Sequence, residues 1–422
     1  MADATLVQGA QRSAPPEKKA QGAGFGPGFV AAGSAADPTT VGTLAVVGAT
    51  TVYALSWVVV LLVPMLTVVY WIAASVGAAT HTSIQGAIRS RYGLAWAVIA
   101  LVSIAAISIV TLTADVEAAG ASLTLLTGIP YRSFIIPFVV VIGWLLVAHR
   151  FDRIERWLSL LPLAFLAYGV SAYLAHADWG AVFRAIFRPQ FQLDTAFAGG
   201  ALALIGTTLT SYQYVWESVQ VAARAPNLAG QRLLRLDVLL GTLVAGTTFL
   251  FILVATGATL GAQGITVVTA ADAANALRPL AGPYAAIFFG IGLLGSAVLA
   301  VPVIVGSTGY AVAQTFGWGG TLDAPLREAR PFYAIMLGSL ALAAVFALAG
   351  VSPIALLYGA SIAAGIAGPI TLCFTVMIAR DKKTMGALRI GPWLATAGWI
   401  VTGIVTFASI AYITLQTGMT KG

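Results

Sequence analysis

Four carboxylates fall inside long apolar stretches: Asp37, Asp115, Glu117 and Glu217. The rest of the fifteen acidic residues lie in tails, in loops or near the ends of such stretches. A carboxylate at bilayer depth costs about 2.5–3.5 kcal/mol on the insertion scale, so it usually faces a cavity or a partner. Asp37 stands in Ala35-Ala36-Asp37-Pro38-Thr39-Thr40. Pro38 withholds a backbone donor and clashes with the preceding turn, so the helix is expected to break there. Backbone groups freed at that depth must be covered by protein or line a cavity. A carboxylate beside freed carbonyls, at the C-terminal end of a half-helix, is a site for a cation. The alternative is a kink with Asp37 in a packing ion pair, but no basic residue falls clearly within a span to pair with it.

A second candidate break is Gly206-Thr207-Thr208-Leu209-Thr210-Ser211-Tyr212-Gln213. Glycine, threonine and serine are mediocre helix formers. Hydroxyls at Thr207, Thr208, Thr210, Ser211 and Tyr212 could satisfy an unwound backbone or contact a solute. A regular helix with hydroxyls bonded back to its own carbonyls reads equally well from composition. Position favours the break, because this stretch opens the sixth span as Asp37 interrupts the first. Paired breaks in two five-helix halves point to an inverted-repeat transporter.

The other carboxylates are more open. Glu117 follows Asp115 by two positions, about 200° around a helix, so both cannot face one cavity equally. Glu117 reads as a carboxylate facing an external loop or as part of an ion or proton path. Glu217 lies roughly 9 Å beyond Ser211 along a helix. It is either an exit-path ligand or an interfacial carboxylate near Arg224. His81, His149 and His176 fall at span ends or in loops and are not expected to be ligands. The single cysteine, Cys373, permits neither an intrachain disulfide nor a cysteine metal site.

The elements that must position these residues are transmembrane helices. Of 422 residues, 59% are apolar and 9% charged, and the mean hydropathy is +0.92. A soluble domain carries about 25% charged residues. We expect an all-α integral membrane protein with about eleven spans, near 24–50, 52–78, 94–124, 131–149, 154–175, 198–222, 234–262, 280–316, 330–350, 353–379 and 391–416. Residues 1–21 read as a disordered cytoplasmic tail, with no signal peptide. Residues 22–417 form the transmembrane domain: repeat one about 22–175, repeat two about 198–379, and an extra helix about 391–416. With the N-terminus cytoplasmic, all but five of the 22 basic residues lie inside; Arg132, Arg184, Arg188, Arg278 and Lys421 are the exceptions. This is the bias expected of a plasma (inner) membrane protein, and it puts the C-terminus outside. Many of the 45 glycines serve close helix packing.

Several functions are excluded. Gly22-Ala23-Gly24-Phe25-Gly26-Pro27-Gly28 follows no strand, so it is not a dinucleotide fingerprint. There is no Walker-A loop and no catalytic constellation, so the chain is not read as an enzyme and needs no cofactor. The basic residues sit in short loops and set topology rather than bind nucleic acid. A monomer is expected.

Gly26-Pro27-Gly28-Phe29 followed by Asp37-Pro38-Thr39-Thr40 resembles the first helix of the Nramp divalent-metal transporters, which carries Asp-Pro-Gly-Asn. The stretch from Gly206 through Trp216-Glu217 resembles their sixth helix, and looks closer to the Gly-Thr-Thr-Ile-Ser-Pro-Tyr form of the Nramp-related branch that includes magnesium transporters. Ala276-Leu277-Arg278-Pro279-Leu280-Ala281-Gly282-Pro283 and Ala300-Val301-Pro302-Val303 also look like that branch. The resemblance covers nearly the whole chain after the tail. It implies a LeuT-like inverted 5+5 repeat plus one helix, and alternating access. It also implies a metal bound by Asp37 and the Thr207 carbonyl, with Thr40 at the family's Asn position and Thr210 at its Met position. Ser211 takes the Pro position and Tyr212 the His position, while Asp115 aligns with a proton-path aspartate. Loss of the thioether favours hard cations held by oxygen, such as Mg²⁺, Ca²⁺ or Mn²⁺, and the metal is the substrate. Coupling to protons is expected to be weak or absent. Two other readings stay open. One is a transporter of a small organic solute, with Tyr70, Trp71, Tyr212, Tyr214 and Trp216 offering aromatic contacts. The other is a non-transporting sensor, which would need a soluble output domain.

Overall fold

Asp37 begins a helix. The computed structural model describes residues 35–148, 165–192, 194–224, 228–322, 324–350 and 352–419. Its first helix, α1 (Pro38–Thr51), has Asp37 as N-cap in extended backbone (φ −68°, ψ 166°). The Asp37 carboxylate accepts from the Thr40 amide. Aspartate is a favoured N-cap, and proline suits the first helical position, where its missing N–H leaves no orphan. Asp37 thus lies at the positive end of the α1 dipole; the half-helix expected to end at it falls outside the described residues. The tail, Gly26-Pro27-Gly28 and the first part of span one fall outside the described residues.

The chain continues through α2 (Ser56–Thr80), α3 (Ile84–Tyr92), α4 (Leu94–Thr127), α5 (Arg132–Val147), α6 (Ala167–Leu174) and α7 (Trp179–Phe187). Then come α8 (Thr195–Thr208), α9 (Ser211–Arg224), α10 (Leu228–Thr259), α11 (Ala285–Phe316), α12 (Arg330–Ala347), α13 (Pro353–Arg380) and α14 (Pro392–Met419). Short helical turns join α10 to α11 and α13 to α14. Among the described residues there is no strand. Among the described residues, seven helices are long and apolar enough to cross a membrane, and α5 is a shorter apolar helix. From position 52 onward, where residues are described, the expected spans agree with these helices to within a few residues. The connections expected as loops hold helix too, namely α3 and α7.

α8 and α9 have 14 residues each, about 21 Å, and neither alone crosses a hydrocarbon core of about 30 Å. Together, across a break, they do. The backbone leaves helical geometry at Leu209 (φ −103°, ψ 41°) and resumes it at Ser211. The break is thus at Leu209-Thr210, not at Gly206, which lies inside α8. Thr208 bonds back to the Leu204 carbonyl at 2.8 Å, so the competing reading of the hydroxyls holds for that residue.

Gly206 has a packing role. A Cβ there would collide with the Ser361 carbonyl oxygen and the Gly365 nitrogen, both in α13. Gly77 of α2 lies equally close to the Ser218 carbonyl of α9. These contacts seat α8 on α13 and α9 on α2. Tyr212 and Trp216, one turn apart on α9, enter a core with Leu112, Ile135 and Phe332, whereas Tyr214 enters the larger core containing Leu44 and Phe249. α9 is held between two packed regions. Gly206→Ala is expected to lower stability by about 1–3 kcal/mol through overpacking, read as a fall in melting midpoint. An unchanged midpoint would mean that α8 and α13 are not in this contact.

Candidate functional site

The first turn of α1 carries two carboxylates. Pro38 has no amide hydrogen to satisfy. The next amide, Thr39, donates to Asp115 Oδ1 at 3.1 Å, and the Thr39 hydroxyl donates to the same oxygen at 2.6 Å. The following amide, Thr40, donates to Asp37 Oδ1 at 2.7 Å. Asp37 thus caps the turn from its own chain, and Asp115 caps it from α4. Orphan amides and the positive helix end both favour anions, so the turn holds two acidic groups together, with no basic side chain among the described residues bonded to either.

The broken sixth span supplies the facing wall. Tyr212, in the first turn of α9, donates its hydroxyl to Asp37 Oδ2 at 2.5 Å. Its carbonyl accepts from Ser307 of α11 at 2.9 Å. Thr40 and Thr207 share a hydrogen bond between hydroxyls at 2.9 Å, and Thr43 and Ser361 share one at 2.7 Å. Thr207 is the penultimate residue of α8, so its carbonyl belongs to the last turn, whose carbonyls have no partner further along the same helix. The Ser211 hydroxyl and Asp115 Oδ2 are buried without a hydrogen-bond partner among the described residues. Buried polar atoms are normally paired, and exceptions call for a ligand, water or a strained function.

The structure therefore brings together Asp37, Thr40, Thr207, Tyr212 and Asp115, the last joined through Thr39. Thr210 and Ser211 are at the break itself. Pro38 is the first residue of α1, and Gly206 lies inside α8. All of these residues are fully or almost fully buried.

Glu117 and Glu217 are outside this group. Glu117 is completely buried, which overturns its reading as a loop-facing carboxylate, and neither of its oxygens has a hydrogen-bond partner. Glu217 is also completely buried; the Arg224 side chain expected near it lies outside the described residues. One turn before it on α9, Gln213 accepts from the Tyr70 hydroxyl at 3.1 Å. His81 and His176 end or follow helices at positive φ and take part in none of these bonds; His149 lies outside the described residues. The residue missed in the sequence was Thr39. Its signal was its position, since the second residue after a capping aspartate carries an orphan amide.

Chemically, the donors are oxygens. Among the described residues no group of three or more His, Cys, Asp or Glu side chains gathers as a metal cluster. A cation here would meet two carboxylates, threonine hydroxyls and last-turn carbonyls, a hard donor set with low charge.

The architecture and the site together define a polytopic helical membrane protein whose sixth span is broken and whose Asp37 caps the start of α1. Its fold is similar to that of the Eremococcus coleocola manganese transporter, solved as a point mutant. The TM-score is 0.74 over 98% of this chain and 92% of that one, at 18% identity. MhsT in complex with L-phenylalanine is similar with a TM-score of 0.64 over 94% and 99%, at 16% identity. These likenesses establish the LeuT-like fold. In sequence, the chain is 27% identical to the Deinococcus radiodurans divalent metal cation transporter MntH over 90% of its length and 87% of the relative's. It is 22% identical to the Bacillus subtilis protein of the same name, over 92% and 91%. The family profile Nramp, "Natural resistance-associated macrophage protein-like", matches residues 28–415. The chain belongs to the Nramp family.

Proposed function

We propose that this protein moves a divalent cation, Mg²⁺ or Mn²⁺ in preference, across the membrane by alternating access, with Asp37 as its principal ligand. The observation that carries the reading is the Asp37 carboxylate, buried at the start of α1 and accepting from the Thr40 amide and the Tyr212 hydroxyl. The names of the sequence relatives support the substrate class. Thr40, the Thr207 carbonyl and Thr210 would complete the ligands, and Asp115 would add a second charge from α4. A site with few charges suits a cation that keeps some of its water, as Mg²⁺ does. The proposed repeats, about 22–175 and 198–379, would put Asp37 and the Leu209-Thr210 break at equivalent positions. Basic loops favour a cytoplasmic N-terminus.

The test is uptake into proteoliposomes across a panel of Mg²⁺, Mn²⁺, Ca²⁺ and Zn²⁺. Uptake of none would reject the substrate class. Thermal stabilisation by amines or amino acids alone would replace it with the organic-solute reading. Asp115→Asn separates charge from structure, because an asparagine oxygen can still accept from Thr39. Its melting midpoint should stay near wild type, while cation affinity should fall about tenfold with the lost ligand charge. Unchanged affinity would remove Asp115 from the site.

A further inference from the structure

We propose that a recess between α13 and α14, beside α3, binds the head group of an anionic phospholipid from the leaflet it faces. The recess has a volume of about 570 Å³ and is lined by Tyr92, Met377, Arg380, Asp381 and Trp399. Its walls follow from one close crossing: a Cβ on Gly398 of α14 would lie 2.8 Å from a Val376 methyl of α13. Met377 and Trp399, the next residue on each helix, flank that crossing and are 39% and 43% exposed. Below them, Tyr92 and Trp96 pack on Phe374 at ring separations of 6.0 and 5.8 Å. Exposed Ile370 and Ile366 continue the apolar wall along α13, about two and three turns from Met377 and on its face. An acyl chain fits that wall, and tryptophan favours the head-group level.

The charge at the recess is positive although a carboxylate lines it. Asp381 accepts from Arg91 at 2.8 Å and from the Thr384 amide at 3.0 Å and hydroxyl at 2.5 Å. The Thr384 hydroxyl first, then Arg91, hold its carboxyl below the usual carboxylate range, so Asp381 stays ionised and already neutralises Arg91. Arg91 in turn lies over the Tyr92 ring, 5.5 Å from its centroid. Arg380 is exposed and has no ion pair or hydrogen bond to a described residue. Its planar fork matches a phosphodiester. Exposed Lys382, Lys383 and Arg389 follow within ten residues. Basic loops that set orientation need no recess; here the unpaired arginine stands at the mouth of one, above an apolar wall, as in other anionic-lipid sites between transmembrane helices.

The test is native mass spectrometry of the purified full chain in detergent, with equimolar dioleoylphosphatidylglycerol and dioleoylphosphatidylcholine. Wild type should retain phosphatidylglycerol about fivefold over phosphatidylcholine, the effect of one basic side chain near an anionic surface. Arg380→Gln and Trp399→Ala should each remove most of that preference, with folding checked by melting midpoint. Arg188→Gln, an exposed arginine far along the chain, should leave it intact. Equal loss in Arg380→Gln and Arg188→Gln would mean unspecific charge attraction and overturn the site. Displacement of the lipid by inorganic phosphate would mean a free-anion site and also overturn it. A wild type without preference overturns the proposal whatever the variants do.

Discussion

Asp37→Asn is expected to reduce divalent-cation uptake into proteoliposomes at least about a hundredfold while leaving the fold in place. Asparagine and aspartate are comparable N-caps, so the bond from the Thr40 amide survives, and the asparagine side chain can still face the Tyr212 hydroxyl. What disappears is the charge. Removing one member of a buried charged interaction costs about 3–5 kcal/mol, and each 1.4 kcal/mol is tenfold in affinity. Asp37→Ala should abolish uptake as well, but it also strands a buried amide and a buried hydroxyl, at about 1–3 kcal/mol each. Its melting midpoint should therefore fall, where that of Asp37→Asn should not. Uptake by Asp37→Asn equal to wild type would remove Asp37 as the cation's ligand.

That prediction rests on a residue legible in the sequence, since a lone carboxylate beside proline in an apolar span has few explanations. Its geometry was less legible. Asp-Pro-Thr-Thr carries both a helix-breaking signal and a helix-starting one, and the described structure uses the second: Asp37 caps, Pro38 takes the first position, and Thr39 and Thr40 offer their amides. In span six the interruption was legible but displaced. Gly206 looked like the breaker because glycine weakens helices, yet the lack of a side chain there serves contact with α13, which only the folded chain makes visible. Leu209, a good helix former, is where the backbone departs. The meeting of Asp115 with Thr39 had no periodic signal, because α4 is apolar on nearly every side and its polar face cannot be told from its lipid face by spacing.

Several of the bonds that close the site join elements a transporter must separate. Thr39–Asp115 ties α1 to α4, Tyr212–Asp37 ties α9 to α1, and Thr43–Ser361 ties α1 to α13. Net hydrogen bonds are worth about 0.5–1.5 kcal/mol each, more when charged, so a few of them hold a closed conformation without making it permanent. A cation that takes over the Asp37 and Asp115 oxygens would break the first two and leave the third. Alternating access then requires only that the cation's differential affinity for the conformations exceed those few bonds.

Tyr212→Phe tests this directly and is expected to tighten cation binding about tenfold to a hundredfold while slowing uptake. Wild-type Asp37 is occupied on both oxygens when no cation is bound, one by the Thr40 amide and one by the Tyr212 hydroxyl. A cation binding at Oδ2 must displace that hydroxyl, and a hydrogen bond to a charged group is worth about 1.5–3 kcal/mol. Phenylalanine keeps the ring's place in the core beside Trp216 and keeps the carbonyl that Ser307 bonds, but it offers no competitor. The unloaded site is then less stable and the loaded one unaffected. Affinity rises by the lost bond, and release becomes correspondingly harder, so turnover falls. Equilibrium binding and uptake measured on the same preparation would move in opposite directions. Weaker binding in Tyr212→Phe would instead make the phenol oxygen a ligand of the cation, because only then does the bound state lose more than the empty one.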